Sequence, residues 1–252
     1  MTSGLGADQP PPGDRGAVSC LAEMFYRPGE AFRTLAQTPF WFVAVLVSLA
    51  LAVAAQLVVQ PRIDMETSIR RMLAERSATA DMPPEQVDRI VERAAHPGAG
   101  IRALQAVGYV TQPLIFVFGV AALYYLGLVA LGSEATYLHA LSMSVHASLP
   151  AGLCRCVVFS TVVLRRRAVL LEELPNLVKS HVGVLLPAGA PKHVLALAST
   201  LDAFNVWQWA LLVLGLTTVG KVRRGPAIGI VATVWGIWLI VKLGLASLGI
   251  VI

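Results

Sequence analysis

The chain has 252 residues, of which 56% are hydrophobic and 14% charged, with mean hydropathy +0.68 and formal net charge +5. A soluble domain carries about 25% charged residues, and apolar runs of about 20 residues recur here, so the composition excludes a water-soluble globule and predicts an integral membrane protein. The basic residues, 16 Arg and 4 Lys, sit in short clusters between apolar runs, the pattern of bilayer-flanking loops and not of a nucleic-acid surface. The Arg-rich, Lys-poor usage further suggests a bacterial source, and with it the cytoplasmic (inner) membrane.

Residues 1–19 are rich in Gly, Pro and Asp and are expected to be a disordered tail. The Ala17-Val18-Ser19-Cys20 stretch lacks the apolar segment a lipoprotein signal needs before it. Residues 20–38 mix Leu21, Phe25, Phe32 and Leu35 with Glu23, Arg27, Glu30 and Arg33, interrupted by Pro28-Gly29; this predicts one or two short interfacial helices. The first span is expected over residues 40–59, opened by an aromatic belt of Phe40, Trp41 and Phe42. Residues 60–104 form a polar loop with seven Arg and seven Asp or Glu. It reads as a helical hairpin or a solvated linker with helical stretches, and Pro83-Pro84-Glu85 opens one of its helices.

The second span is expected over 106–131, with Gly132-Ser133-Glu134 turning the chain. The third is expected over 137–164, kinked or broken at Pro150 and ended by Arg165-Arg166-Arg167. Residues 168–193, with Glu172, Glu173, Pro175, Lys179, Pro187 and Pro191, are too polar to cross and are expected in the interface or covering the bundle end. The fourth span is placed over 194–219, Lys221 to Gly225 form a basic turn, and the fifth occupies 226–249. The fold class is therefore all-α: a polytopic membrane helix bundle of five transmembrane helices with amphipathic interfacial helices. Orientation is contested. An N-terminus inside places Arg15, Arg27, Arg33, Lys221, Arg223 and Arg224 in the cytoplasm, yet the opposite side holds the seven Arg of the first loop and five basic residues between 165 and 192.

Ionisable groups near or inside the apolar runs are the functional candidates. A carboxylate in hydrocarbon costs about 2.5–3.5 kcal/mol on the lenient insertion scale, so Asp202 must face protein or water. At about 100° per residue, Asp202, Asn205 and Trp209 share one helical stripe, beside Trp207. Arg155, in the third span, either snorkels or caps backbone near Pro150, or pairs with Asp202. His139 and His146 lie on one face with Ser142 between them, about 10 Å apart by helical rise. One ion cannot bridge them, and no thiol or carboxylate joins them at ligand spacing. Lys242 is expected to snorkel. Gly229, Ala232, Thr233 and Gly236 form a small-residue stripe expected in the bundle core.

Three cysteines make no disulfide framework, and Cys154 and Cys156 read as packing residues. There is no Ser-His-Asp set, HExxH, phosphate-cradling Gly-rich loop or glycosidase-like acidic pair, and Glu172-Glu173 reads as solvated. No catalytic, metal or cofactor site is expected, and the protein is read as not an enzyme.

Three stretches carry a resemblance: Tyr26 to Phe32 leading to Pro39-Phe40-Trp41; Gly132 to Leu153, a Gly turn followed by a Pro-bearing helix; and Leu201-Asp202-Ala203-Phe204-Asn205-Val206-Trp207 with Leu211 to Gly215. Together they resemble the bacterial branch of the Yip (Ypt/Rab-interacting protein) domain family, five-span membrane proteins, over residues 24–248. The resemblance implies a Yip-like membrane domain over 20–252, a non-enzymatic role and a cytosolic N-terminus. Eukaryotic relatives act in vesicle traffic and bind prenylated small GTPases. Two functions follow: a membrane scaffold that binds the lipid bilayer, other membrane proteins or itself, or a small transporter or channel using Asp202, Asn205, His139, His146 and Arg155 as a polar path.

Overall fold

The computed structural model describes residues 16–74, 82–187, 194 and 197–247, and the regular structure among them is helical. Nine α-helices are described: α1 Ala17–Tyr26, α2 Pro28–Gln37, α3 Phe42–Val59, α4 Met65–Ala74, α5 Pro84–Ala95, α6 Ala99–Ala130, α7 Tyr137–Leu164, α8 Ala203–Val219 and α9 Arg224–Ser247. Four stretches are long and apolar enough to cross a membrane: Phe42–Arg62, Ala99–Ala130, Tyr137–Leu164 and Arg224–Gly244. Only 17–28% of their most apolar windows is buried inside the protein. Side chains such as Leu57, Ile115 and Ile240 are 70%, 73% and 72% exposed. Apolar surface on this scale suits a lipid solvent and would aggregate in water.

The helix ends follow local chemistry. Pro28 sits at the first position of α2, where its missing N–H costs nothing, so Pro28-Gly29 separates two helices. Pro84 opens α5 in the same way. Pro150 lies inside α7, and the helix continues through it instead of breaking. The second span starts earlier than expected, at Ala99, because Gly98 ends the polar loop and the helix takes up residues 99–105 before its apolar part begins. The tail expectation is corrected at its end: α1 begins at Ala17, while residues 1–15 lie outside the described residues.

The chain falls into two compact units. The first takes residues up to 48, 117–150 and 207–235. Its core packs Cys20 and Met24 of α1, Phe32 and Leu35 of α2, Tyr124 and Leu128 of α6, Met143 of α7, Leu212 and Leu216 of α8, and Ile230 and Val234 of α9. The apolar stripes of α1 and α2 thus pack into protein. Glycines permit close approach between these helices: a Cβ on Gly215 would stand 2.5 Å from Met143 Cγ and 2.9 Å from Phe32 Cε1, and one on Gly127 would stand 2.9 Å from Ile230 Cγ2.

This overturns the expected small-residue stripe. Gly229, Ala232 and Thr233 are exposed and Gly236 is half-buried, and nothing lies within 4 Å of a Cβ on either glycine. The buried face of α9 is Ala227, Ile230, Val231 and Val234. The reason is that Ile230 fills the hollow left by Gly127, which turns the smaller residues outward.

Among the described residues, the second unit takes those of 49–116, 151–206 and 236–247. In the polar loop, α4 packs on α5, and Arg70 pairs across them with Asp88 at 2.8 Å and along α4 with Glu66 at 3.2 Å. Asp88 therefore binds the facing helix and not an arginine of its own, whereas Glu85 and Arg89 pair along α5 at 3.8 Å. Asp64 caps α4: its Oδ1 accepts the Thr67 N–H at 3.0 Å and its carbonyl the Ser68 N–H at 3.1 Å. Asp64 and Val169 are tied by the Asp64 N–H donating to the Val169 carbonyl at 3.0 Å. Beyond Val169 the segment expected in the interface forms short 3₁₀ turns, Leu171–Asn176 and Val182–Leu185. Its prolines and this pairing to residues 62–64 account for the irregular path.

Candidate functional site

The start of α8 is a polar knot in the second unit. The helix begins at Ala203, nine residues after the expected start of the fourth span, because Asp202 caps it. Asp202 Oδ1 accepts the Phe204 N–H at 2.6 Å, and its carbonyl accepts the Val206 N–H at 3.0 Å. Oδ2 accepts the Ser180 hydroxyl at 2.7 Å. Backbone pairing holds the strand-like approach: Val182 N–H donates to Leu201 O at 2.9 Å and Ala203 N–H to Ser180 O at 3.5 Å. Residues 188–193 and 195–196 of the expected interfacial segment and fourth span lie outside the described residues. As the cap, Asp202 is not helical, so the stripe expected with Asn205 and Trp209 is not formed. Its side chain is only 14% exposed, and the cost of that burial is met by donors.

Asn205 extends the knot. Its Nδ2 donates to Thr200 O at 2.8 Å, and its Oδ1 accepts from Arg155 Nη2 at 2.7 Å. Only this amide orientation satisfies both partners. The same Arg155 nitrogen lies 3.9 Å from Asp202 Oδ1, and its guanidinium stands over the Phe204 ring, 5.7 Å from the centroid. Arg155, in the second half of α7, thereby grips the first turn of α8. At 44% side-chain exposure its ion pair with Asp202 is worth little by itself. The short charged hydrogen bond to Asn205 is the stronger contact.

The other candidates lie in the first unit. His139 stands at the third position of α7, and its Nδ1 accepts the Thr136 N–H at 3.3 Å, with the Thr136 hydroxyl 2.7 Å away. His139 thus supplies the acceptor half of a capping box, taking the N–H of Thr136 as a Glu at that position would. His146 is fully buried, and its Nδ1 lies 2.8 Å from Ser142 O, so it donates to its own helix. Its Nε2 and the Ser142 hydroxyl have no partner among the described residues. Trp207 packs edge-on against Phe25 at 6.4 Å. The structure therefore joins Arg155, Asp202 and Asn205, and gives His139, His146 and Trp207 separate surroundings.

Sequence reasoning missed Ser180, Thr200 and Phe204. Only one signal pointed to them: a carboxylate at the edge of an apolar run requires donors, without saying which. His181, whose backbone pairs beside Asp202, is buried with both ring nitrogens unpartnered among the described residues. No group of three His, Cys, Asp or Glu able to hold a metal occurs among the described residues. Ser180 is the hydroxyl beside the Asp202 carboxylate, and it donates its proton to Oδ2 as part of the anchor of α8. The chemistry of the knot is hydrogen bonding that fixes a helix start.

The sequence matches the family model of the Yip1 domain over residues 22–246. No curated protein and no solved structure matches the chain. The match runs from within α1 to within α9 and so takes in the capped helix start, the close glycine approaches and the four long apolar stretches. This all-α polytopic membrane protein belongs to the Yip1 domain family.

Proposed function

We propose that the protein is a non-enzymatic scaffold of the Yip type, crossing a bacterial cytoplasmic membrane five times and organising lipid or other membrane proteins. Yip1 is not a known enzyme family. The observation that carries the proposal is the fate of Asp202. Both of its carboxylate oxygens are engaged, by the Phe204 N–H and the Ser180 hydroxyl, in starting and anchoring α8. A transport carboxylate has to release and rebind a proton or ion, and one consumed in a helix cap is poorly placed to do so.

The crossing that completes the five is α8, the fourth in chain order. Its 17 residues reach about 26 Å, slightly less than the hydrocarbon core. Supporting its crossing, the Ser133 hydroxyl after α6 donates to Gly220 O after α8 at 2.7 Å. The decisive experiment is reconstitution into liposomes. The scaffold predicts no proton or small-solute flux above empty vesicles, and cross-linking in native membranes that captures the same membrane partner, or a second copy, from wild type and Asp202→Asn alike. Flux that disappears in Asp202→Asn would instead establish a transporter.

A further inference from the structure

A cavity of about 600 Å³ opens in the first unit, between the turn joining α6 to α7 and the turn joining α8 to α9. Ser133, Glu134, His139, Lys221 and Arg223 supply its polar lining. Four of the helices read as spans end or begin at these two turns, which places the cavity at the level of lipid phosphates. The Ser133–Gly220 hydrogen bond ties the turns together.

Two features distinguish this cavity from an ordinary solvated charge cluster. Lys221 and Arg223 form no ion pair among the described residues, although Glu134 lines the same cavity. Lys221 is also the one non-glycine residue with positive φ, 54°, among the described residues. After a helix this left-handed position is normally given to Gly. The glycine is used one residue earlier, where a Cβ on Gly220 would stand 2.3 Å from Leu128 Cδ2, so the unfavourable conformation falls on a lysine. A backbone outlier at a cavity mouth is a pointer to function. His139 adds a donor: with Nδ1 accepting from Thr136 N–H, the proton of the neutral ring is on Nε2.

We propose that this cavity binds a phosphate group, held by Lys221 and Arg223 with His139 as a neutral donor. The phosphate comes either from an anionic phospholipid headgroup or from a soluble phosphate compound. The charge balance of the lining, two cations against one carboxylate, selects a phosphodiester-type anion over a zwitterion.

The test is native mass spectrometry of the full-length, detergent-purified protein titrated with phosphatidylglycerol or phosphatidylcholine. The expected result is a preference for phosphatidylglycerol that falls about 25-fold in K221Q/R223Q, at about fivefold per basic residue. It should rise about fivefold in E134Q, by the same arithmetic, and stay unchanged in R165Q/R167Q, which removes the same charge from the second unit. E134Q guards against misfolding as an explanation, since a damaged protein does not bind more tightly. Displacement by millimolar inorganic phosphate or glycerol phosphate identifies a soluble source, and resistance to both identifies the lipid. Equal binding of the two lipids, equal losses in the two double variants, or weaker binding by E134Q would overturn the proposal.

Discussion

Asp202→Ala removes the acceptor of two donors at once, the Phe204 N–H and the Ser180 hydroxyl. Losing an N-cap costs about 1–2 kcal/mol, and a partly buried hydroxyl left without an acceptor adds about 1 kcal/mol. We therefore expect Asp202→Ala to lower the thermal unfolding midpoint in detergent clearly. Asp202→Asn, which keeps a capping oxygen, should cost under about 1 kcal/mol. If the two variants melt alike, charge and not capping is what matters at 202. Reversing both charges, Arg155→Asp with Asp202→Arg, should give no rescue. Arginine has no acceptor and cannot cap α8, and the direct ion pair at 3.9 Å is the weaker part of the contact. Recovery of the wild-type midpoint by the double reversal would contradict this. That Asp202 matters was legible from its cost in an apolar environment. Its role was not, because hydropathy runs on through Val194 to Leu201 and the Ser180 donor lies 22 positions away.

At the scale of elements, the sequence located helices better than it located their faces. The helix α7 has the bounds 137–164 expected for the third span, because Gly132 and the Arg165 triplet punctuate it. The buried face of α9 was misplaced, because in a lipid-solvated helix both faces are apolar and periodicity carries no sign. Glycine substitutions test the corrected faces. Gly215→Ala puts a methyl 2.5 Å from Met143 Cγ and should destabilise by about 1–3 kcal/mol. Gly229→Ala, with open space around it, should be neutral or stabilise by up to about 1 kcal/mol. The opposite order of the two midpoints would mean that α9 packs through its small residues. The α4 cap has its own signature. The Thr67 N–H bonded to Asp64 holds that carboxyl below its ordinary value, so its stabilising effect is full above a pH of about 3.9 and is lost as pH falls through the depressed folded value. Amide hydrogen exchange over residues 65–74 should therefore accelerate below that pH relative to the rest of the chain. In Asp64→Asn the relative acceleration should vanish.

Across the whole molecule, the number of crossings decides which surfaces share a compartment, and α8 is the element on which it turns. Four stretches qualify as spans by length and apolarity, and α8 is the short one. If it crosses, the turns at 131–136 and 220–223 lie on one side of the membrane, and the loop after α7 lies on the other. If it does not, residues 220–223 share a side with that loop. The Ser133–Gly220 hydrogen bond supports proposing the first arrangement, because a 2.7 Å bond cannot form across a bilayer. Shortness is tolerable at this helix, since Asp202 closes one end with side-chain acceptors and the bilayer can thin locally at a modest cost. Single cysteines at Glu134, Gly225 and Arg167, in a background with Cys20, Cys154 and Cys156 replaced by Ala, read this out with a membrane-impermeant maleimide. Glu134→Cys and Gly225→Cys should label from the same side and Arg167→Cys from the opposite one. Labelling of Gly225→Cys together with Arg167→Cys would leave α8 uncrossed and would separate the two turns that form the phosphate cavity.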